Sequence, residues 1–381
     1  MTKVNAKWLN YPSTRAVFAA LAKDGAQVLF VGGCVRNALL GVPISDVDIA
    51  TDARPETVMA LARSAGIRAI PTGVDHGTVT LVWDGIPYEI TTFRRDVATD
   101  GRRAVVAFSD RIQDDAARRD FTMNALYANI DGVVIDPLGG LSDLVARRVR
   151  FIGSATDRIL EDHLRSLRFF RFMAWYGDPN KGFDSEALAA IAANLDGLDQ
   201  LSAERVASEL VKLLAAADPA PAVAVMRQIG ALARVLPGSN DRALALLVHL
   251  ESLADAAPDA MRRLAALGGG QDLRLSKAQM AKSNRLRVAA TGTMTPGELG
   301  YRLKTIEARD ALLLRCALLE QPWDASIMAD VQQGDAAKFP VRAKDLMPAL
   351  QGPALGQKLS NLEQIWIASG FTLARDELLS R

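Results

Sequence analysis

Cysteine is nearly absent from the 381-residue chain, which holds only Cys34 and Cys316. Two thiols cannot build a disulfide framework or a cysteine-rich zinc module. Histidine is almost as scarce, at three (His76, His163 and His249), which argues against a histidine-based metal centre. Neither sign of charge predominates: 45 Lys and Arg against 44 Asp and Glu leave a formal +1. A globally basic nucleic-acid coat is excluded, although local basic patches are not. No run approaches the roughly 20 apolar residues of a membrane span. The start, MTKVNAKWLNYPSTR, lacks the apolar core of a secretion signal. What is present, 49% apolar and 23% charged residues, is the composition of a globular chain, with two or three domains at about 150 residues each. A reduced, soluble, cytoplasmic protein is expected.

The chain changes character near residue 155. Before it, short β-like runs alternate with turns: Gln27–Val31, closed by Gly32-Gly33, then Thr78–Trp83 and Ile86–Phe93 about Asp84-Gly85, a strong hairpin signal. Ala125–Ile130 and Val133–Ile135 repeat the arrangement about Asp131-Gly132. Helical stretches Ser13–Ala22, Val35–Leu40 and Pro55–Ala65 lie between them, so an α+β domain with a mostly antiparallel sheet is predicted. After residue 155 the β signal almost vanishes. Apolar residues recur at helical spacing in Ser185–Asn194, Ala203–Ala216, Pro221–Leu232 and Asp241–Ala254, and an amphipathic helix runs through Trp366.

Two local features carry chemistry. In Ser45-Asp46-Val47-Asp48-Ile49 the two aspartates are two apart, so on a strand their carboxylates leave the same face. Adjacent carboxylates repel unless a cation lies between them, and closely spaced oxygen ligands suit Mg²⁺. Upstream, Val31-Gly32-Gly33-Cys34-Val35-Arg36-Asn37 joins a strand to a helix. A glycine pair lets backbone N–H groups approach a phosphate, and a helix start favours an anion. Glycine turn, arginine and acidic pair together describe a triphosphate–Mg²⁺ site; there is no Gly-Lys-Ser/Thr of a Walker loop.

These residues resemble the signature of the polymerase-β-like nucleotidyltransferases, and within them the class II group of tRNA CCA-adding enzymes and bacterial poly(A) polymerases. The resemblance implies an α+β N-terminal head with a small mixed or antiparallel sheet, followed by all-α domains: residues 1–150 as catalytic head, 151–215 as helical neck that recognises the nucleotide, and 216–381 as tRNA-binding body and tail. It implies Asp46 and Asp48 as catalytic metal ligands for two Mg²⁺, with Gly32, Gly33 and Arg36 at the nucleotide. Asn37 departs from the pattern, which has aspartate there. Glu89, in Tyr88-Glu89-Ile90, is the candidate third catalytic carboxylate; an exposed strand residue is the alternative.

Further blocks extend the resemblance. Arg118-Arg119-Asp120-Phe121-Thr122-Met123-Asn124 matches the group's Arg-Arg-Asp motif and offers Arg118, Arg119 and Asn124 to the nucleotide. Glu161-Asp162-His163-Leu164-Arg165 matches its Glu-Asp-x-x-Arg motif, on a helix expected to start near Ser154–Asp157. Asp162 and Arg165 stand at i and i+3, and Arg168 and Arg171 continue the face. An aspartate that accepts and an arginine that donates can pair with cytosine or adenine and mispair with uracil or guanine. Arg168 and Arg171 would hold the triphosphate or the base stack, and His163 is expected at the surface. Glu204 through Leu210 is expected to pin this helix by ion pairs. Arg94–Ala117, charged and containing Gly101, is expected to be the mobile loop that lets one site serve C and then A.

RNA contacts are expected on the region of Lys277, Lys282, Arg285 and Arg287, with Arg342 and Lys344. The implied activity is addition of CCA to tRNA 3′ ends from CTP and ATP, with pyrophosphate leaving; the alternative is a poly(A) polymerase. A metal-dependent phosphohydrolase domain of His-Asp type is not expected, since no His-Asp dipeptide occurs.

Overall fold

The computed structural model describes residues 2–99 and 104–381, apart from the side chains of 96–99, 104 and 105. Within these residues the chain forms two compact units, one reaching to Glu209 and including Val225–Val235, the other made of Leu210–Ala224 and Leu236–Arg381.

The first unit is built on strands β1 (Val28–Val31), β2 (Asp48–Thr51), β3 (Arg68–Gly73), β4 (Thr78–Trp83), β5 (Ile86–Thr92), β6 (Arg94–Thr99), β7 (Ala104–Phe108), β8 (Tyr127–Ala128) and β9 (Val134–Ile135). Seven of them form one sheet in the order β3-β4-β5-β2-β1-β8-β9, and β6 pairs with β7 apart from it. Every pairing in the large sheet is antiparallel except β2 with β5. The sheet is therefore mixed, as expected. Asp84 (φ 50°) and Gly85 (φ 75°) both take positive φ in the β4–β5 turn, as a tight two-residue hairpin of right-handed strands requires.

Helices α1 (Pro12–Ala22), α2 (Gly33–Leu40), α3 (Pro55–Ser64), α4 (Ile112–Ala117), α5 (Gly140–Val145), α6 (Ala155–Glu161), α7 (Leu164–Tyr176) and α8 (Ser185–Ala193) complete this unit, with the start of α9 (Ala203–Leu214). Strand β1 is buried on both faces. Its Leu29 and Val31 join Ala50, Phe93, Ala125 and Tyr127 in one core, while Phe30 meets Trp8 and Phe18 on the other side.

Two expectations change. Arg94–Ala117 is not one loop: its described residues form β6, β7 and α4, and Gly101 lies outside the described residues. The helix expected to run through Asp162 stops there. Asp162 takes extended dihedrals (φ −155°, ψ 103°) between α6 and α7, and its Oδ1 accepts from Leu164 N at 3.1 Å, which starts the next helix.

The remaining helices are α10 (Ala220–Gln228), α11 (Ala231–Val235), α12 (Arg242–Leu253), α13 (Ala260–Leu267), α14 (Lys277–Thr291), α15 (Pro296–Leu319), α16 (Met328–Ala336), α17 (Gly352–Ala368) and α18 (Arg375–Leu379). The predicted helix Pro221–Leu232 is thus two, parted at Gly230 (φ 86°). In the second unit Leu247, Leu286, Leu299, Leu313 and Val331 centre one core, and Leu362, Trp366 and Leu378 centre another. Helices α15 and α16 meet backbone to backbone: a Cβ on Gly300 would lie 2.0 Å from Val331 O, and one on Gly334 1.9 Å from Gly297 O.

This unit also buries ions. Arg262 and Arg263 are each 1% exposed. Arg262 pairs with Glu251 (2.8 Å) and Asp310 (2.5 Å), and Arg263 with Glu251 at 2.7 Å. Their other donors reach main-chain carbonyls: Arg262 that of Ala257, and Arg263 those of Leu214, Ala216 and Ala217.

Candidate active site

The apolar strand β1 ends at Gly32, whose dihedrals (φ 69°, ψ −119°) turn the chain into α2. Glycine takes this conformation without strain, and a side chain here would meet Arg119 Nη1 at 3.4 Å and the Asn124 carbonyl at 3.5 Å. Asn124 and Arg119 therefore back the turn, and Gly33 opens α2.

Strand β2 begins at Asp48. Its parallel register with β5 sets Asp48 directly beside Glu89. Asp46 lies just outside the strand and is exposed, as is Glu89, while Asp48 is half-buried. Burial first, then the neighbouring Glu89 and Asp46 charges, push the Asp48 carboxyl up to about 6, against the opposing pull of Arg119 and Arg36. A half-buried carboxyl crowded by two other carboxylates is a place where a cation relieves repulsion. The donors are all oxygens, so the set fits a hard divalent ion. Among the described residues no three such side chains converge into a ready-made cage.

Behind the carboxylates lies a set of committed arginines. Asp115, fully buried on α4, accepts from Arg118 Nε (2.8 Å), Arg119 Nη2 (2.9 Å) and the Tyr127 hydroxyl (2.7 Å). Burial alone would raise this carboxyl; Arg119 and Arg118 overcome it and hold Asp115 at about 2. Arg36 is 5% exposed. It donates through Nη1 to Asn124 Oδ1 (2.7 Å), through Nε (3.1 Å) and Nη2 (2.9 Å) to Asn37 Oδ1, and through Nη2 to the Tyr176 hydroxyl (2.8 Å). Asn37 supplies the acceptor an aspartate would have supplied, and its amide adds a bond to Pro43 O at 2.7 Å. Arg36 is thus a buried tie between elements.

Asn124 passes the chain on: its amide donates to Asp120 Oδ1 (3.0 Å), whose other oxygen accepts from Arg168 Nε (2.7 Å). Burial would raise the Asp120 carboxyl, but Arg168 and its hydrogen-bond donors hold it well below the usual range.

On α7 every predicted arginine is paired. Arg165 donates to Glu161 (2.6 Å) and to Arg118 O (3.0 Å). Arg171 pairs with Glu209 at 2.6 Å and stacks on Phe172. Asp162 is held by Arg205 Nη2 at 3.0 and 2.8 Å. Asp162 and Arg165 do not share one continuous helical face; each is aimed by its own partner. The pinning expected of Glu204–Leu210 is present as Arg205–Asp162 and Arg171–Glu209. His163 is not at the surface: it is half-buried, with its ring against Gly197, where a Cβ would lie 2.1 Å from Nδ1.

Sequence reasoning missed Asp115, Glu161 as a partner of Arg165, Tyr127 and Tyr176. Asp115 was within reach, since Arg118 and Arg119 stand three and four residues on along a helix; Tyr127 and Tyr176 meet their arginines only through the tertiary fold. In the second unit three of the basic residues expected at RNA are engaged internally: Lys282 with Asp259, Arg285 with Glu307 and Arg287 with the Ala265 carbonyl.

Carboxylates set side by side on β2 and β5 near a glycine turn, on a small mixed sheet, place the chain in the nucleotidyltransferase class, for which a divalent metal requirement is implied. The family model described as Poly A polymerase head domain matches residues 28–150, and that described as the probable RNA and SrmB-binding site of polymerase A matches 182–242. The chain is 34% identical over 378 residues to the mitochondrial CCA tRNA nucleotidyltransferase 1 of Mus musculus, covering 94% of this chain and 87% of the relative. It is 41% identical over 228 residues to a CCA-adding enzyme of Geobacillus thermodenitrificans, covering 59% and 54%. Its fold is similar to the crystal structure of the Bacillus stearothermophilus CCA-adding enzyme in complex with CTP, at a TM-score of 0.73 and 28% identity over 94% of this chain and 93% of that one. The chain belongs to the family of CCA tRNA nucleotidyltransferases. No helix among the described residues is long and apolar enough to cross a membrane.

Proposed function

We propose that this chain adds CCA to the 3′ end of tRNA, without a nucleic-acid template, from CTP and ATP. The observation that carries the reading is the hydrogen-bonded chain Arg36–Asn124–Asp120–Arg168, which ties the glycine turn at the carboxylates to the helix that starts at Asp162. Phosphate handling and base reading then share one polar framework, as an enzyme without a template strand needs.

Asp46 and Asp48, with Glu89 beside them, would hold Mg²⁺, which when bound neutralises triphosphate charge and eases ionisation of the attacking 3′ hydroxyl. The chain's own groups do the rest. The start of α2 offers the Gly33 main-chain N–H to the triphosphate, Gly32 N being spent on Leu126 O at 3.0 Å, with Arg119 behind the turn, and pyrophosphate leaves. Asp162 Oδ2 keeps a free lone pair beyond the bonds the carboxylate takes from Arg205 and Leu164 N, and accepts from the exocyclic amine of cytosine or adenine. Arg165 spends its Nη1 and Nη2 on Glu161, Arg158 and Arg118, and a donor it has left serves the ring nitrogen. Uracil and guanine would set acceptor against acceptor, leaving polar groups unsatisfied. Arg168 and Arg171, paired with Asp120 and Glu209, act as the stiffeners of α7. In this reading 1–150 is the catalytic head, 151–215 the recognition neck and 216–381 the tRNA-binding part. Two buried free thiols suit a reducing compartment, and the cytoplasm is the one proposed.

The test is incorporation with Mg²⁺ into tRNA ending at the discriminator base or at CC, and into an oligo(A) end, with CTP and ATP singly and together. The double variant Asp46→Ala, Asp48→Ala is the blank. Two C and one A followed by arrest is the expected result. Open-ended A addition to any RNA would instead make the chain a poly(A) polymerase.

A further inference from the structure

We propose that Tyr176 is a positioning residue for nucleotide addition: by clamping Arg36 it fixes the distance between the glycine-turn helix α2 and the base-reading helix α7. This rests on the function proposed above.

Tyr176 is the last residue of α7, about three turns from Arg165. It is 8% exposed. Its hydroxyl accepts from Arg36 Nη2 at 2.8 Å, and its ring centroid lies 4.0 Å from the same guanidinium carbon. Phe172, one turn earlier, adds a second ring at 5.0 Å. The remaining bonds of Arg36 go to Asn37 on its own helix and to Asn124 beside the glycine turn. Among the bonds of Arg36, the one that crosses directly from α2 to α7 is that to Tyr176; its other route to α7 runs through two further side chains, Asn124 and Asp120.

A nucleotide whose triphosphate sits at the start of α2 and whose base is read at the start of α7 spans these two helices. The clamp sets that span while touching neither end. Burial makes the bond count, because a guanidinium deprived of an acceptor has no water to turn to. Phenylalanine would keep the volume and the cation–π contact and remove only the oxygen; leucine would remove the ring as well.

Tyr176→Phe and Tyr176→Leu are made in the full chain and compared with wild type. KM and kcat are measured for CTP on tRNA lacking CCA and for ATP on tRNA ending in CC. Alongside are equilibrium CTP binding, UTP misincorporation and Tm. A lost buried bond to a charged donor should raise KM and the CTP dissociation constant about tenfold in Tyr176→Phe. In the same variant kcat should stay within about threefold, UTP misincorporation should rise and Tm should fall by no more than the few degrees one lost buried bond costs, the KM-against-kcat split expected when uniform binding is lost. Tyr176→Leu should show larger changes of the same kind. Wild-type KM, CTP affinity and UTP discrimination in both variants would overturn the clamp. So would changes that merely track a fall in Tm and vanish on cooling. If wild type itself fails to extend tRNA, the proposed function fails instead, and CTP binding still decides the clamp.

Discussion

The two units use the same chemical pair, arginine and carboxylate, to different ends. In the second, Arg262 and Arg263 are sealed with Glu251 and Asp310, and their spare donors end on main-chain carbonyls. Nothing is left over for a ligand. In the first, Arg118 and Arg165 keep side-chain exposures of 14% and 13%, and Asp162 keeps 29%. Each is aimed by its partners and still partly open. Aiming and sealing differ in where the second half of the hydrogen-bonding capacity goes, and only the first is compatible with recognition.

Replacing Arg262 by Met should be the most disruptive single step. It strands Asp310 in the core and leaves Glu251 with Arg263 as its one arginine, at a cost of about 3–5 kcal/mol, read as a fall in the urea midpoint of the full chain. CTP affinity of the molecules that remain folded should be unchanged; a loss of affinity at full stability would erase the distinction between sealed and aimed pairs.

Asp115→Asn tests a buried pair inside the first unit. Its carboxyl is held at about 2, below the ordinary 3.8. A depressed carboxyl stabilises the fold above its ordinary value, and that stability is lost as pH falls through the folded value. Wild type should exceed the variant by about 2 kcal/mol near neutrality. The gap should narrow as pH falls from 4 toward 2, and urea titrations across that range measure it. A gap that does not depend on pH would mean that Asp115 acts by shape alone.

Arg205→Ala frees Asp162 from its partner. UTP misincorporation should rise about tenfold, with a change of about 1 kcal/mol or less in stability; unchanged fidelity would remove Arg205 from the recognition apparatus. The smallest effect is expected from Arg285→Ala in the second unit, an exposed pair with Glu307. It should move stability by less than about 1 kcal/mol, and a larger loss would show that surface pairs there are also structural.

The elements whose signals are local could be read in advance. The Asp84-Gly85 hairpin, the glycine turn and the acidic pair each follow from a few adjacent residues. Strand β3 was missed because Arg68–Gly73 (RAIPTG) has no alternation and carries a proline, and its pairing comes from β4. Strands β6 and β7 looked like a loop because β6 opens on Arg94-Arg95-Asp96 and the stretch as a whole is charged and holds Gly101. The break at Asp162 carries no glycine or proline; the aspartate makes it by capping Leu164. Within the site, the acidic pair was legible as a cluster with Glu89. Arg36 looked like a phosphate ligand and is a buried tie, since its partners Asn124 and Tyr176 are 88 and 140 residues away. No spacing rule reaches that far.

The contact of α15 with α16 bears on how this sequence can drift. Every glycine codon lies one base from an alanine codon, so mutation offers Gly300→Ala and Gly334→Ala constantly. At these two the new methyl would land on a main-chain carbonyl, at 2.0 and 1.9 Å, where only separation of the two helices can make room. The commonest and gentlest substitution is here among the harshest, and the lineage carrying this chain must discard it at two codons each time it arises.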